Sequence, residues 1–78
     1  MSTIDEILWL LKDGKWHKLE EIIKKLALPT IKAEIAVSFL SEYDFIQLNK
    51  NSRRAKLQPS TLEFVKEIQH LEKEALSH

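Results

Sequence analysis

Hydrophobic side chains recur at intervals of three and four residues in four segments of the chain, which is the spacing of amphipathic α-helices. Two of these segments open on a capping box, Thr3 with Glu6 and Ser60 with Glu63, in which the paired side chains satisfy free backbone amides. Gly14 is the expected left-handed stop of the first helix. The pattern therefore predicts helices that begin at residue 3, near residue 19, at residue 30 and near residue 61.

Shorter segments between the helices have the features of β-strands. Residues 15–18 are too few for a helix, and the runs 45–48 and 55–57 flank the turn-forming residues 49–52. Two short runs around such a turn predict a β-hairpin. The expected fold is mainly α with a small β-sheet, in the order helix, short strand, helix, helix, two-stranded hairpin, helix. A chain of this length is expected to form a single domain, residues 1–78, with a C-terminal helix at about 61–76.

The third helix is apolar around much of its circumference. One stripe is assigned to the core and consists of Ala33, Ala36, Val37 and Leu40. A second stripe consists of Ile31, Ile35 and Phe39. Two interpretations of the second stripe stay open. We favour its burial between neighbouring helices, and the alternative is an exposed patch that faces a partner chain.

On the first and last helices some apolar residues lie beside the predicted core stripe, and Ile68 belongs both to the core stripe of the last helix and to its second stripe. They can pack on one another within the chain, or they can form the seam of a two-fold homodimer, which we favour. A chain of 78 residues without Cys has a modest core and no disulfides, so association with a second copy is a natural source of stability. The predicted dimer interface consists of Trp9, Leu10, Phe64, Ile68, Leu71 and Ala75.

The charges of the chain are unevenly distributed although the formal net charge is zero. Residues 45–62 contain four cations and no acid, and such a concentration creates a local attraction for nucleic acid. The alternative is an exposed hairpin that uses its cations to prevent edge-to-edge aggregation. The four cations are Lys50, Arg53, Arg54 and Lys56.

Four sequence segments, taken with the order of the elements, resemble a known family. LLKDGKW looks like the end of that family's first helix and its small strand, and LEEIIKKLAL looks like its second helix. FLSEYDFIQL resembles the end of its recognition helix and the first wing strand, and LQPSTLEF the segment that leaves the wing. The family is the winged helix-turn-helix domain of small archaeal and bacterial transcription regulators. Two positions depart from it: Asp44 stands where the family commonly has Gly, and Lys18 where it commonly has a Ser, Thr or Asp helix cap.

The resemblance implies a role for the third helix and for the hairpin. Residues 30–43 would be the recognition helix in the major groove of DNA, and the four hairpin cations would contact phosphate or the minor groove. Arg53 and Arg54 are expected to contribute most. The helix residues nearest base edges would be Thr30, Lys32, Glu34, Ile35 and Ser38. Lys32 is the one cation among them, so contact with the DNA backbone is better supported than readout of a base sequence.

The leading hypothesis is a non-enzymatic, homodimeric protein that binds double-stranded DNA and regulates transcription. The alternative is a winged-helix module that binds a partner protein through Ile31, Ile35 and Phe39 and does not touch DNA. Zero net charge and a recognition helix in which Glu34 offsets Lys32 favour this alternative.

Several other functional classes are not expected. The chain has no Cys and no glycine-rich phosphate loop, and its three His residues are predicted to be isolated. We therefore expect no enzyme activity, metal, cofactor or small-molecule ligand. Asp5 and Glu6 lie where a secretory signal would be positively charged, and no segment approaches the ~20 apolar residues of a membrane span. The expected location is the cytoplasm.

Overall fold

The computed structural model describes residues 2–76 and contains helices and a small antiparallel sheet in the predicted order. This mainly helical architecture is compatible with a winged-helix arrangement. No described helix is long and apolar enough to cross a membrane. The elements are α1 (Thr3–Leu10), β1 (His17–Lys18), α2 (Leu19–Leu26), α3 (Thr30–Glu42), β2 (Ile46–Asn49), β3 (Arg54–Leu57) and α4 (Pro59–Leu76).

The three strands form one sheet in the order β1-β3-β2, and both neighbouring pairs are antiparallel. The hairpin between β2 and β3 is confirmed, with its turn at residues 50–53. Because side chains alternate along a strand, Ala55 and Leu57 face the helices, and both are buried. Arg54 and Lys56 consequently face the other side of the sheet. The hairpin thus has an inner, apolar face and an outer, basic face.

The core lies where the sheet and the first three helices meet. The predicted core stripe of α3 is confirmed, since Ala33, Ala36, Val37 and Leu40 are all buried. The largest fully buried side chains come from α1 and the turn after it, α2, α3 and β2, so one cluster joins these elements. They are Ile7, Leu11, Ile22, Leu40 and Ile46.

Both predicted capping boxes are wrong by one or two residues. The N-cap of α1 is Ser2, whose hydroxyl accepts a hydrogen bond from the backbone amide of Asp5 at 3.2 Å. The last helix begins at Pro59 rather than near residue 61, and the amide of Leu62 donates to the carbonyl of Gln58 at 2.9 Å. Pro suits the first helical position, because the amide hydrogen that it lacks has no partner within the helix.

Three residues adopt left-handed backbone conformations at helix ends, and one of them is Ala27, the C-cap of α2, with a φ of 52°. Gly14 has a φ of 74° after the turn that follows α1, and a Cβ atom added there would lie 2.8 Å from Leu62 of α4. Asp44 has a φ of 60° after α3, in the place where the resembling family commonly has Gly. Asp tolerates this conformation better than most residues. Lys18 is the N-cap of α2 and makes no side-chain capping bond, so this departure leaves α2 without a side-chain cap.

Two sequence-based expectations about apolar residues are wrong. Ile31, Ile35 and Phe39, which we favoured as core residues, are 71%, 66% and 44% exposed. The reason is that α1, α2 and β2 all pack on the opposite stripe of α3. Leu10, expected to point away from the core, is partly buried against it. The Phe39 ring contacts that of Tyr43, the residue that follows α3, with ring centroids 4.8 Å apart.

Candidate nucleic-acid interface

We refer to the β2–β3 hairpin as the wing. Hydrogen bonds from its own residues and from α2 hold its tip in place. The side-chain oxygen of Asn49 accepts from the backbone amides of Asn51 and Ser52 at 3.1 and 3.2 Å. Arg53 has a φ of 52°, and its carbonyl accepts from the amide of Leu19 at 2.8 Å. These bonds fix the tip relative to the start of α2.

The Arg53 side chain forms ion pairs with two helices. Its Nε atom lies 3.2 Å from Oε1 of Glu20 on α2, and its Nη2 atom lies 3.8 Å from Oε1 of Glu34 on α3. All three side chains are exposed, and ion pairs of this kind contribute about 0–1 kcal/mol each. A phosphate could therefore replace either carboxylate at low cost.

A shallow groove of about 260 Å³ separates the wing from α3. Its polar rim combines two hairpin cations, Lys50 and Arg53, with Glu34 and Ser38 of α3. Leu19, Val37 and Leu48 form its apolar floor. The groove places wing cations beside the helix that the resemblance identifies as the recognition helix.

The residues of α3 that were predicted to lie nearest base edges are all exposed. They are Thr30, Lys32, Glu34, Ile35 and Ser38. The same surface includes the apolar Ile31 and Phe39, and the acid Glu42 lies at its end. This surface of α3 is therefore apolar with mixed charges, in contrast to the wing.

The structure divides the four hairpin cations between two surfaces. Lys50 and Arg53 line the groove beside α3. Arg54 and Lys56 project from the outer face of the sheet, where the Lys56 ammonium lies 4.9 Å from the centre of the Trp16 ring. The sequence predicted one basic element and gave no sign of this division.

A cluster around His17 was missed at the level of sequence, where this residue was predicted to be isolated. Its Nε2 atom lies 2.9 Å from Asp13 Oδ1, and its Nδ1 atom lies 3.0 Å from Glu21 Oε2. Both ring nitrogens can donate only when the imidazole is protonated. The four-residue spacing of Asp13, His17 and Glu21 is the signal that could have revealed the cluster.

The same contacts shift three pKa values in directions that favour the charged cluster. Burial opposes protonation of His17, whose side chain is 11% exposed, but the hydrogen bonds and charges of both carboxylates outweigh it and raise the His17 pKa above 6.5. Burial also opposes ionisation of Asp13, yet its bond to His17 gives a pKa below 3.8. Hydrogen bonds from His17 and Lys25 lower the pKa of Glu21 below 4.5.

These shifts predict a pH-dependent stability. A raised His17 pKa adds stability that is complete below pH 6.5 and is lost as the pH rises through the folded-state pKa. The lowered pKa values of Asp13 and Glu21 add stability that is lost at the acid end, so this cluster contributes most between about pH 4.5 and 6.5. Urea unfolding at about pH 6 and about pH 9 should show a lower free energy of unfolding at the higher pH.

The variant His17→Gln serves as the control for this pH effect. It keeps a polar side chain but does not titrate, so the difference between the two pH values should shrink. An equal pH difference in the variant and in the unchanged protein would show that other groups cause it.

An apolar groove of about 640 Å³ lies between α1 and α4. Of the predicted dimer residues, Trp9, Phe64 and Ile68 line it, while Leu71 and Ala75 are exposed further along α4. Leu10 contributes less, because it packs against the core. Phe45, which sequence reasoning did not include, completes the groove.

One polar atom in this groove has an unmet hydrogen-bonding requirement. Gln69 Nε2 is the one buried side-chain nitrogen or oxygen without a partner among residues 2–76. Such a group costs free energy unless an acceptor reaches it. The groove is therefore apolar and contains one side-chain donor that lacks a hydrogen-bond acceptor.

The described part of the chain shows no group of three or more acidic or His residues placed to hold a metal ion. On α4, His70 pairs with Glu74 at 3.2 Å on an exposed surface, and His78 lies outside the described residues.

Comparisons of this chain with protein-family models, with curated proteins and with solved structures find no match.

Proposed function

We propose that this protein is a non-enzymatic DNA-binding protein, acting as a transcription regulator, that contacts the duplex through the wing and α3. The observation that carries the proposal is the position of Lys50 and Arg53 at the rim of the groove beside α3. A duplex whose major groove received α3 would bring a phosphate strand to this rim. The wing supplies the backbone contacts, with Arg54 and Lys56 adding longer-range attraction.

Backbone contact accounts for more of the expected affinity than base contact. The exposed face of α3 offers Lys32, Ser38 and Thr30 as hydrogen-bonding groups, without the Arg or Asn side chains that read bases in pairs of bonds. Ile35 can contact thymine methyl groups, which gives weak discrimination. The proposed affinity for duplex DNA therefore depends strongly on salt concentration and weakly on base sequence.

The active form in this proposal is a homodimer joined through the groove between α1 and α4. From residue 66 to residue 75 every side chain of α4 except Gln69 is exposed, so this half of the helix leaves apolar surface uncovered. A second copy would cover Trp9, Phe64 and Leu71 and could bring an acceptor to Gln69 Nε2. Two copies would present two wings to one duplex and raise its affinity.

A titration with random-sequence duplex tests the proposal. Fluorescence anisotropy at about 50 mM salt should show saturable binding, and log K should fall linearly with log salt, as expected for release of counterions from phosphates. Absence of binding even at the lowest salt would reject DNA as the partner.

That negative result would favour the second candidate, a module that docks a partner protein on α3. The observation in its favour is the exposure of Ile31, Ile35 and Phe39, which sequence reasoning placed in the core. The double variant Ile31→Ala with Phe39→Ala separates the candidates further. Where duplex binding is observed, this variant should lower the duplex affinity if α3 enters the major groove, and should leave it unchanged if the stripe docks a protein and the wing alone contacts DNA.

A further inference from the structure

The outer face of the sheet has a regular arrangement of polar and basic side chains. In the strand register, Arg54 of β3 lies between Lys18 of β1 and Asn49 of β2. Two residues further along β3, Lys56 lies opposite Gln47, with its ammonium 4.9 Å from the centre of the Trp16 ring. This face is opposite to the groove beside α3, because side chains alternate along β3.

Lys18 and Arg54 are directly opposite one another on neighbouring strands. Like charges in this position destabilise a sheet, because the two side chains are held side by side. Among residues 2–76, no carboxylate forms an ion pair with Lys18, Arg54 or Lys56, whereas the adjacent Arg53 has two such partners. The outer face therefore keeps an uncompensated cluster of positive charge that an anion would stabilise.

Trp16 adds a flat aromatic surface to this basic face. It is 42% exposed, and it immediately precedes β1, so that it lies beside Lys56. Aromatic rings combined with cations form the sites on which proteins stack unpaired bases and hold their phosphates. A duplex keeps its bases stacked inside and would leave the ring unused, and an acidic peptide would satisfy the cations alone.

We propose that the outer face of the sheet binds an unpaired segment of a nucleic-acid strand. Lys18 and Arg54 hold phosphates, Trp16 stacks on a base, and the Lys56 ammonium moves from the ring to a phosphate. This site goes beyond the proposed duplex binding and does not require it, since Lys50 and Arg53 lie on the other side of the sheet. The two proposals can therefore fail separately.

Fluorescence of Trp16 tests this site directly. The chain contains two Trp residues, so the variant Trp9→Phe leaves Trp16 as the single Trp fluorophore. A short oligothymidylate added at about 50 mM salt should quench its emission in a saturable way, because a stacked base contacts the ring. Oligouridylate in a parallel titration shows whether the site distinguishes DNA from RNA.

Adding Lys18→Ala and Arg54→Ala to this background should weaken the oligonucleotide roughly fiftyfold, given a salt slope of ~0.7 for each phosphate contact of a single strand. Thermal unfolding should show no loss of stability, since the two cations repel one another. The matched control Lys24→Ala with Lys66→Ala removes the same charge from exposed positions on other elements and should retain binding. Absence of quenching, or quenching unaffected by Lys18→Ala with Arg54→Ala, would overturn the proposal. So would equal competition by polyglutamate, which would identify an acidic-peptide site instead.

Discussion

Replacing both Lys50 and Arg53 with Ala is expected to lower the affinity for random-sequence duplex roughly a hundredfold at about 50 mM salt. Each phosphate contact at this salt contributes about a factor of ten, because the log K of duplex DNA changes by ~0.9 per contact with log salt. The slope of log K against log salt should accordingly become smaller by about two. Anisotropy titrations at several salt concentrations measure both quantities.

Two further variants make this result specific to the groove beside α3. Lys24→Ala with Lys66→Ala removes the same net charge from exposed positions on other elements and should change duplex affinity little. Glu20→Gln with Glu34→Gln should strengthen binding, because it releases Arg53 from both acids and removes two negative charges near the phosphates. If Lys24→Ala with Lys66→Ala lowers the duplex affinity as much as Lys50→Ala with Arg53→Ala does, only the total charge of the protein matters.

Replacing both Phe64 and Leu71 with Ala is expected to convert the proposed homodimer to a monomer at micromolar concentration. A large apolar residue covered by a partner contributes about 2 kcal/mol, so the two changes together should raise the dimer dissociation constant roughly a thousandfold. Sedimentation equilibrium measures the mass directly. The thermal midpoint of the unchanged protein should also rise with concentration, as dimerisation stabilises the folded chain.

The control for the dimer is Ile31→Ala with Ile35→Ala, which removes exposed apolar side chains from α3 instead. This variant should keep the dimeric mass. If it becomes a monomer while the variant at Phe64 and Leu71 stays dimeric, the stripe of α3 is the contact between copies and the groove between α1 and α4 is not.

The hairpin shows which structural features could be predicted from residues that are close together in the sequence. Two short runs around a turn predicted β2 and β3, and the absence of acids between residues 45 and 62 identified the hairpin as basic. Both features depend on residues close together in the chain. The opposite directions of Arg53 and Arg54, however, follow from the left-handed turn at Arg53 and from the pairing of β3 with β1. Neighbours in sequence thus have different partners in space.

The second stripe of α3 shows what the spacing of hydrophobic residues alone cannot predict. Spacing showed that Ile31, Ile35 and Phe39 lie on one side of the helix, but not which side the rest of the chain would cover. The His17 cluster is similar, because its two carboxylates come from the turn after α1 and from α2. Whether such groups meet depends on how the connecting turns are folded.

The sequence by itself determined the order of helices and strands, the core stripe of α3 and the basic character of the hairpin, because short-range spacing and turn chemistry specify these features. Only the tertiary structure decided which apolar stripe is buried, which cations lie beside α3 and which lie with Trp16 on the outer face of the sheet. The physical reason is that burial and charge pairing depend on contacts between elements far apart in the chain, and strand register fixes those contacts only once the sheet has formed.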